Sequence, residues 1–352
     1  MMKHVSRFIA IIMAFVLLFA AYGGRVDPAI MTIPSLATLA LPVIALVALL
    51  LMLALAVCWQ WRAAVIIFGA FLLSWPTLRL ISPMNFTHPT ADPDKAQLKV
   101  LTMNVTQFNW FDGDKPSKNM RYILDQNADI VVIQEGLIYF PYERIKTVKP
   151  MLEELYKKYP YRKKHFFDVG ILSKYPFEEV EAEVLTRDTT GYFIKAWDVE
   201  APGGDLRVVS MHLSSMRLSD SDTRIIDSMN KPSGRKERAK SVVKKLTEGF
   251  CIHTRQALAM RQLLDETTGD VLVMGDMNET PGSFCYRTVC GDDLRDAWAD
   301  TGWGPVSTYN AHHLYVKIDH ILYRGDLKPL SCRCDKAGES DHYPLVAVFE
   351  RQ

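Results

Sequence analysis

The sequence predicts an α/β domain preceded by a membrane segment, and three observations carry that reading. Residues 1–82 hold long uncharged apolar runs, residues 98–350 repeat short β-branched runs with helical patterns between them, and charge divides the same way. The 352 residues include 41 basic and 40 acidic side chains, yet only Lys3, Arg7, Arg25, Asp27, Arg62 and Arg79 precede Pro83. A composition that is 49% hydrophobic and 23% charged excludes disorder, collagen and a disulfide mini-scaffold. A net charge of +1 argues against a surface that is wholly a nucleic-acid footprint.

Three apolar runs make up the first 82 residues. Seventeen uncharged residues separate Arg7 from Arg25, and 34 separate Asp27 from Arg62, with an apolar core over 35–59. The third run, 63–78, has 16 residues before Arg79, whose side chain can snorkel while Leu80 and Ile81 extend the helix. A bilayer needs about 20 apolar residues per helix, so three spans are expected, with two as the alternative. The runs are apolar all round rather than striped, which disfavours a soluble hairpin. Lys3, Arg7 and Arg62 favour the cytoplasm. Three spans in the cell (inner) membrane then place everything after Pro83 outside the cytoplasm, on the periplasmic side. The first run also fits a cleaved signal peptide, with small residues at Ala20 and Ala21, and cleavage leaves that topology unchanged.

Residues 83–97 contain three prolines and little apolar content, which predicts a linker, and 98–352 suffice for one domain. Strands are expected at 98–105, 128–135, 191–200, 206–213, 270–276, 317–323 and 343–350. The runs at 130 and 271 are almost continuous in Val, Ile, Leu and Met, as suits strands covered on both faces. Helical patterns fall near 117–127, 150–158 and 235–266. Of six cysteines, Cys58 lies in the membrane segment and the other five are an odd number; a Cys285–Cys290 disulfide is one open pairing.

The informative feature is where the strands stop. Asn104, Glu135, His212, Asp276 with Asn278, Asp319 with His320, and Asp341 with His342 all sit at or beside strand ends. One acid there is an ordinary turn cap. A set of them could converge on one rim, rich in hard oxygen ligands and imidazoles, the donor set of a Mg²⁺ or Mn²⁺ phosphodiesterase rather than a thiolate site.

The order of motifs resembles the endonuclease/exonuclease/phosphatase superfamily: LTMNV, IVVIQE, GILSKYP, SMHL, GDMNETP, KIDHIL and SDHYP, over about residues 98–350. The layout is also similar to membrane-anchored bacterial members. The resemblance implies a four-layer α/β/β/α sandwich of two packed mixed β-sheets behind the transmembrane segment. It implies that Glu135, Asp341 and Asn104 form the metal-binding set, with Asn104 matching the asparagine that hydrogen-bonds within the site. Asp276 and Asn278 match the pair that orients the attacking water and contacts the phosphate, and His342 with Asp319 matches the family's His-Asp dyad. His212 matches a position where several subfamilies place a histidine against the phosphate. Thr106 stands where repair endonucleases often carry a second acidic ligand, so one metal is expected, and Lys317 stands where arginine is common.

His320 is expected to alternate away from the site as a packed or edge residue. His165, His253, His312 and His313 are expected to be surface or local hydrogen-bonding residues. From Ser215 to Gln262 the chain has eleven Lys or Arg against five Asp or Glu. That basic stretch could meet DNA phosphates or anionic lipid head groups, but a helix with Val242, Val243 and Leu246 on one stripe favours a solvated face. The leading expectation is a membrane-anchored phosphodiesterase requiring Mg²⁺ or Mn²⁺. Its partners are the bilayer and a phosphodiester substrate, nucleic acid or phospholipid head group. A phosphomonoesterase of soluble phosphates and a catalytically silent scaffold are the alternatives.

Overall fold

The computed structural model describes residues 2–87, 89–109, 117–136, 148–164, 169–181, 193–216, 218, 235–311 and 315–351. His165, His312, His313 and most of the insertion before residue 235 lie outside them.

Four helices open the chain: α1 (Met2–Tyr22), α2 (Thr32–Leu39), α3 (Leu41–Val57) and α4 (Trp61–Ile81). The stretches Lys3–Arg25 and Trp61–Ile81 are each long and apolar enough to cross a membrane. The second apolar run, expected as one continuous span, is instead the pair α2 and α3, bent by 63°, and counts as a third span only if the broken pair is one. Pro42 in the first turn of α3 accounts for the break, because proline has no N–H to carry the α2 hydrogen-bond ladder onward yet suits the start of a new helix. Ser6 Oγ donates to Gln60 Oε1 at 3.1 Å near one end of α1 and α4, and Thr77 Oγ1 donates to the Ala21 carbonyl at 2.8 Å near the other. These two helices therefore run parallel. The buried centre of the bundle includes Ala10, Ala14, Ala20, Ala21, Ala63 and Ala70, small residues that let helix backbones approach closely.

The segment expected as a linker is fastened to the domain. Met84 bridges Trp303, Asn85 Nδ2 donates to the Ala299 and Gly302 carbonyls at 3.1 and 2.8 Å, and the Asp92 amide donates to Glu350 Oε2.

Among the described residues twelve strands follow: β1 (Gln97–Asn104), β2 (Ile130–Gln134), β3 (Tyr161–Lys164), β4 (Gly170–Ser173), β5 (Phe177–Glu179), β6 (Phe193–Ala201), β7 (Gly204–His212), β8 (Val271–Asp276), β9 (Arg295–Asp296), β10 (Asp319–Arg324), β11 (Leu327–Cys334) and β12 (Leu345–Arg351). They form two mixed six-stranded sheets, ordered β11-β12-β1-β2-β4-β3 and β5-β6-β7-β8-β10-β9. Helices α5 (Lys118–Gln126) and α6 (Lys149–Lys158) cover the first sheet. Helices α7 (Arg235–Asp265) and α8 (Phe284–Cys290) cover the second, with the short α9 (Ala297–Thr301) beside β10 and β11.

Period-two patterning builds these layers. Leu98 and Val100 face Trp197, Val208, Leu272 and Met274 between the sheets, whereas Leu101 and Met103 face Ile123 and Leu155 beneath α5 and α6. In β8, Val271 and Val273 turn outward to Ala257 and Leu263 of α7. Every strand read from the sequence is present, and the four-layer α/β/β/α arrangement holds. On α7 the expected stripe is narrower: Leu246 is buried but Val243 is exposed, since the two are three positions apart and the buried arc here covers only one of them.

Candidate active site

Strand direction gathers the polar residues onto one rim. β1 and β2 are parallel with Asn104 opposite Gln134, so Glu135 follows at the same edge. β7 and β8 are parallel with His212 opposite Asp276. β10 runs antiparallel to β8, which puts its first residue, Asp319, opposite Asp276. β12 runs antiparallel to β1, so Asp341 and His342, just before it, arrive at the carboxyl end of β1. The two sheets meet there, and Asn104 of the first reaches Asp276 of the second.

Glu135, Asn278 and Thr106 all adopt left-handed backbone, with φ of 53°, 51° and 42°. Each such non-glycine residue costs about 1–3 kcal/mol and persists where its surroundings over-determine it. The bonds that do so are present. The Thr106 amide donates to Asn104 Oδ1 at 3.1 Å, the Asn278 amide donates to Asp276 Oδ1 at 2.8 Å, and Asn278 Nδ2 donates to the Leu213 carbonyl at 2.9 Å. Gly275, at φ 138°, has no room for a side chain: a Cβ there would lie 2.0 Å from the Met211 carbonyl oxygen.

Asn104 is the hub. Its Nδ2 donates to Glu135 Oε1 at 3.0 Å and to Asp276 Oδ2 at 3.3 Å, while its Oδ1 accepts the Thr106 amide. It thus meets both carboxylates through its donors. Asp341 is tied in through Thr106, whose hydroxyl donates to Asp341 Oδ1 at 2.6 Å, and Ser340 Oγ donates to the Asn104 carbonyl at 2.7 Å. His342 Nδ1 donates to Asp319 Oδ2 at 2.9 Å, leaving Nε2 at 3.6 Å from Asp276 Oδ2. His212 Nε2 stands 3.8 Å from both Glu135 Oε1 and Asp276 Oδ2. The eight residues that the resemblance assigned to the site, Asn104, Glu135, His212, Asp276, Asn278, Asp319, Asp341 and His342, therefore belong to one connected cluster.

Burial and charge set the titration. Burial pushes the Asp276 carboxyl up to about 6, with Asp319 adding and the two histidines opposing. Burial alone would depress His342, but Asp319 and Asp276 outweigh it and hold the imidazole at about 10. His342 is the proton-rich group of the rim and Asp276 its charge partner.

The donor set fits a hard divalent cation. Glu135, Asp276 and Asp341 offer carboxylate oxygens, and Asp319 Oδ1 is a buried oxygen with no hydrogen-bond partner among the described residues. Asp276, Asp319 and His342 present ligand atoms within 4.8 Å of one another, although the Asp319–His342 hydrogen bond already engages two of them. No thiolate contributes: all six cysteines are free, so the Cys285–Cys290 pairing is absent. Both lie buried in α8, where burial pushes the Cys290 thiol up to about 12 and leaves it inert.

Away from the rim, His320 is fully buried on the opposite face of β10, as expected. Lys317 Nζ donates to Asp296 Oδ2 and to His320 Nδ1, both at 2.8 Å, so it is a structural cation rather than a substrate contact. His253 of α7 is also fully buried, between Glu279 Oε1 at 3.0 Å and the Ser214 carbonyl. Sequence reasoning missed several supporting groups. Thr308 Oγ1 accepts the amides of Ile318 and Asp319, and the Tyr309 ring meets the His342 ring edge-on with centroids 5.0 Å apart. Their segment has no apolar periodicity, so no signal marked them. Thr106 stood beside Asn104 and was legible only as a departure from a motif.

The family model described as Endonuclease/Exonuclease/phosphatase family matches residues 110–342. A second, described as a domain of unknown function (DUF8431), matches residues 3–81. No curated protein matches the sequence. Similar solved structures include humanized D. rerio TDP2 (16% identity, TM-score 0.48, covering 72% of this chain and 98% of that one). An endonuclease/exonuclease/phosphatase from Beutenbergia cavernae is 17% identical, with a TM-score of 0.47 and coverage of 73% and 72%. Sphingomyelinase C from Streptomyces griseocarneus is 19% identical, with a TM-score of 0.45 and coverage of 73% and 100%.

Proposed function

The chain belongs to the endonuclease/exonuclease/phosphatase family and is a metal-dependent phosphoric ester hydrolase; from that premise we propose that it is a membrane-anchored phosphodiesterase working outside the cytoplasm. The observation that carries the reading is the rim itself: Asn104 joining Glu135 to Asp276, with the Asp319–His342 dyad 3.6 Å away. Its substrate is a nucleic acid or a phospholipid head group, reached by the domain 98–352 from a bilayer occupied by residues 1–82.

In this reading Glu135 and Asp341 would hold a Mg²⁺ or Mn²⁺ ion, and Asn104 completes that metal-binding set by orienting Glu135 through its Nδ2. When bound, that ion supplies charge neutralisation for the anionic phosphoester. Asp276, buried and raised toward neutrality, orients the attacking water in line and takes up its proton at Oδ2. Asn278, pinned by its own Nδ2, presents its amide oxygen beside that water. His342 is fixed by Asp319 at Nδ1 and so directs its Nε2–H to the phosphate oxygens, where it protonates the leaving one as its P–O bond breaks. His212 approaches the same oxygens from β7.

The test is hydrolysis by the full-length protein in Mg²⁺, with supercoiled DNA and mixed phospholipid vesicles assayed side by side and His342→Ala as the blank. Cleavage of one substrate, lost in the blank, is the expected result and chooses the branch; turnover equal in the blank would overturn the site. Orientation has its own measurement. A reporter fused after Gln352 is expected to be active only outside the cytoplasm, and cytoplasmic activity would mean two spans.

A further inference from the structure

The C-terminal ends of α1 and α4 abut the loop that continues from Asp276 and Asn278. Gly24, in the turn after α1, lies so close that a Cβ there would sit 1.9 Å from the Gly282 carbonyl oxygen. Gly282, at φ 85°, would in turn drive a Cβ to 2.7 Å from Thr77 Cγ2 of α4. Arg287 ties the three together: its Nε donates to the Gly282 carbonyl at 3.1 Å and its Nη2 to Thr77 Oγ1 at 2.7 Å. The Thr77 hydroxyl in turn donates a hydrogen bond to the Ala21 carbonyl at 2.8 Å. Leu80 of α4 packs into the cluster that holds Met277, Tyr286 and Val289, and Arg79 pairs with Asp300 at 3.1 Å. From the other side α7 holds Glu279 through His253, and α2 packs against α7. The loop 277–283 is thus gripped between the apolar bundle and α7.

We propose that the N-terminal bundle braces the active site, with Gly24 and Thr77 as positioning residues for the Asp276–Asn278 loop. The inference rests on the reading of Asp276 and Asn278 as working groups. Its physical basis is that Asn278 is left-handed and needs over-determination, and four residues on, its loop is wedged against the bundle backbone. A misplacement of 1 Å at a reacting group costs on the order of 10²-fold in rate. The membrane segment is then a component of the catalytic apparatus as well as an anchor.

The experiment uses the full-length protein in lipid nanodiscs, with Gly24→Val, Thr77→Val, Thr77→Ser and Ser6→Ala. Two quantities are read: Mg²⁺-dependent hydrolysis of bis(p-nitrophenyl) phosphate, as kcat and KM separately, and amide hydrogen exchange over 277–283. Gly24→Val and Thr77→Val are expected to lower kcat by on the order of 10²-fold and 10-fold with little change in KM, and to speed exchange in the loop. Thr77→Ser, which keeps the hydroxyl, is expected to restore both, and Ser6→Ala, at the far end of the bundle, to change neither. Should Gly24→Val not fold, the Thr77 pair carries the test. Wild-type loop exchange and kcat in Thr77→Val would overturn the brace. A wild-type protein that hydrolyses nothing defeats the proposed function instead, and the exchange measurement still decides the brace.

Discussion

Two aspartate–histidine pairs lie back to back across β10. Asp319 faces the rim and bonds His342; the next residue, His320, faces away, its Nδ1 3.4 Å from Asp296 Oδ2. Both pairs are buried, yet His342 is held up at about 10 while burial and the neighbouring Lys317 charge push His320 below its usual value. The difference is the third partner. In the inner pair Lys317 sits 2.8 Å from both members and neutralises Asp296, which it holds far below the usual carboxylate range against burial. His320 stays neutral, accepts from Lys317, and donates Nε2–H to the Glu279 carbonyl at 3.0 Å, so nothing is left to react. In the outer pair two carboxylates surround one imidazole, and its Nε2 remains directed toward Asp276. The same residue pair is mortar in one place and a proton carrier in the other, decided by which charge completes it.

Breaking the outer pair gives the largest effect on function. Asp276→Ala or His342→Ala is expected to lower turnover by about 10²–10⁴-fold while melting remains cooperative. Steady-state kinetics beside a thermal melt checks this, and wild-type turnover in either variant would end the site assignment. Breaking the inner pair is expected to do the reverse. Asp296→Leu leaves Lys317 buried and unpaired, a loss of about 3–5 kcal/mol, much of which Lys317→Met in the same chain should recover. Denaturant titration of single and double variants reads it, and additive losses would show that the pair does not act as a unit.

A smaller effect is expected at Thr106. Thr106→Val removes the hydroxyl that holds Asp341, a charged hydrogen bond of about 1.5–3 kcal/mol, so the Mg²⁺ concentration giving half-maximal activity should rise. An unchanged metal titration would detach Asp341 from the metal. The smallest effect is in pH. His320 is held below its ordinary 6.5, so the unfolded chain binds that proton first. This contribution to stability is present above about pH 6.5 and is lost as pH falls through the lowered folded value, whereas His320→Gln should flatten that slope. Melting temperatures across pH 5–8 report it.

Much of this was legible in the chain. Short β-branched apolar runs marked β1, β2, β6, β7, β8, β10 and β12, and the polar residues at their ends named the rim, because strand direction makes one edge of each sheet collect its ends. The strands that were not read are mostly of another kind. β9 is two residues, β5 is Phe-Glu-Glu, β3 is Tyr-Arg-Lys-Lys, and β11 carries Pro329 with a bulge before Ser331. β4, Gly-Ile-Leu-Ser, is buried between β2 and β3 but too short for a periodic signal. Edge and short strands carry little apolar alternation, since one flank faces solvent and pairing alone holds them. The groups supporting the rim, Thr308 and Tyr309, sit in irregular chain whose only signal is three-dimensional.

The sequence by itself determined that an apolar bundle precedes an α/β domain and which side chains cap its strands, because periodicity and residue chemistry are local properties. Only the tertiary structure decided that Lys317 neutralises Asp296 while Asp319 charges His342, that the second apolar run bends at Ala40, and that Gly24 and Thr77 press on the loop carrying Asn278. Those outcomes depend on which distant residues are brought within about 3 Å, and at that range burial makes each neighbouring charge or methyl group decisive.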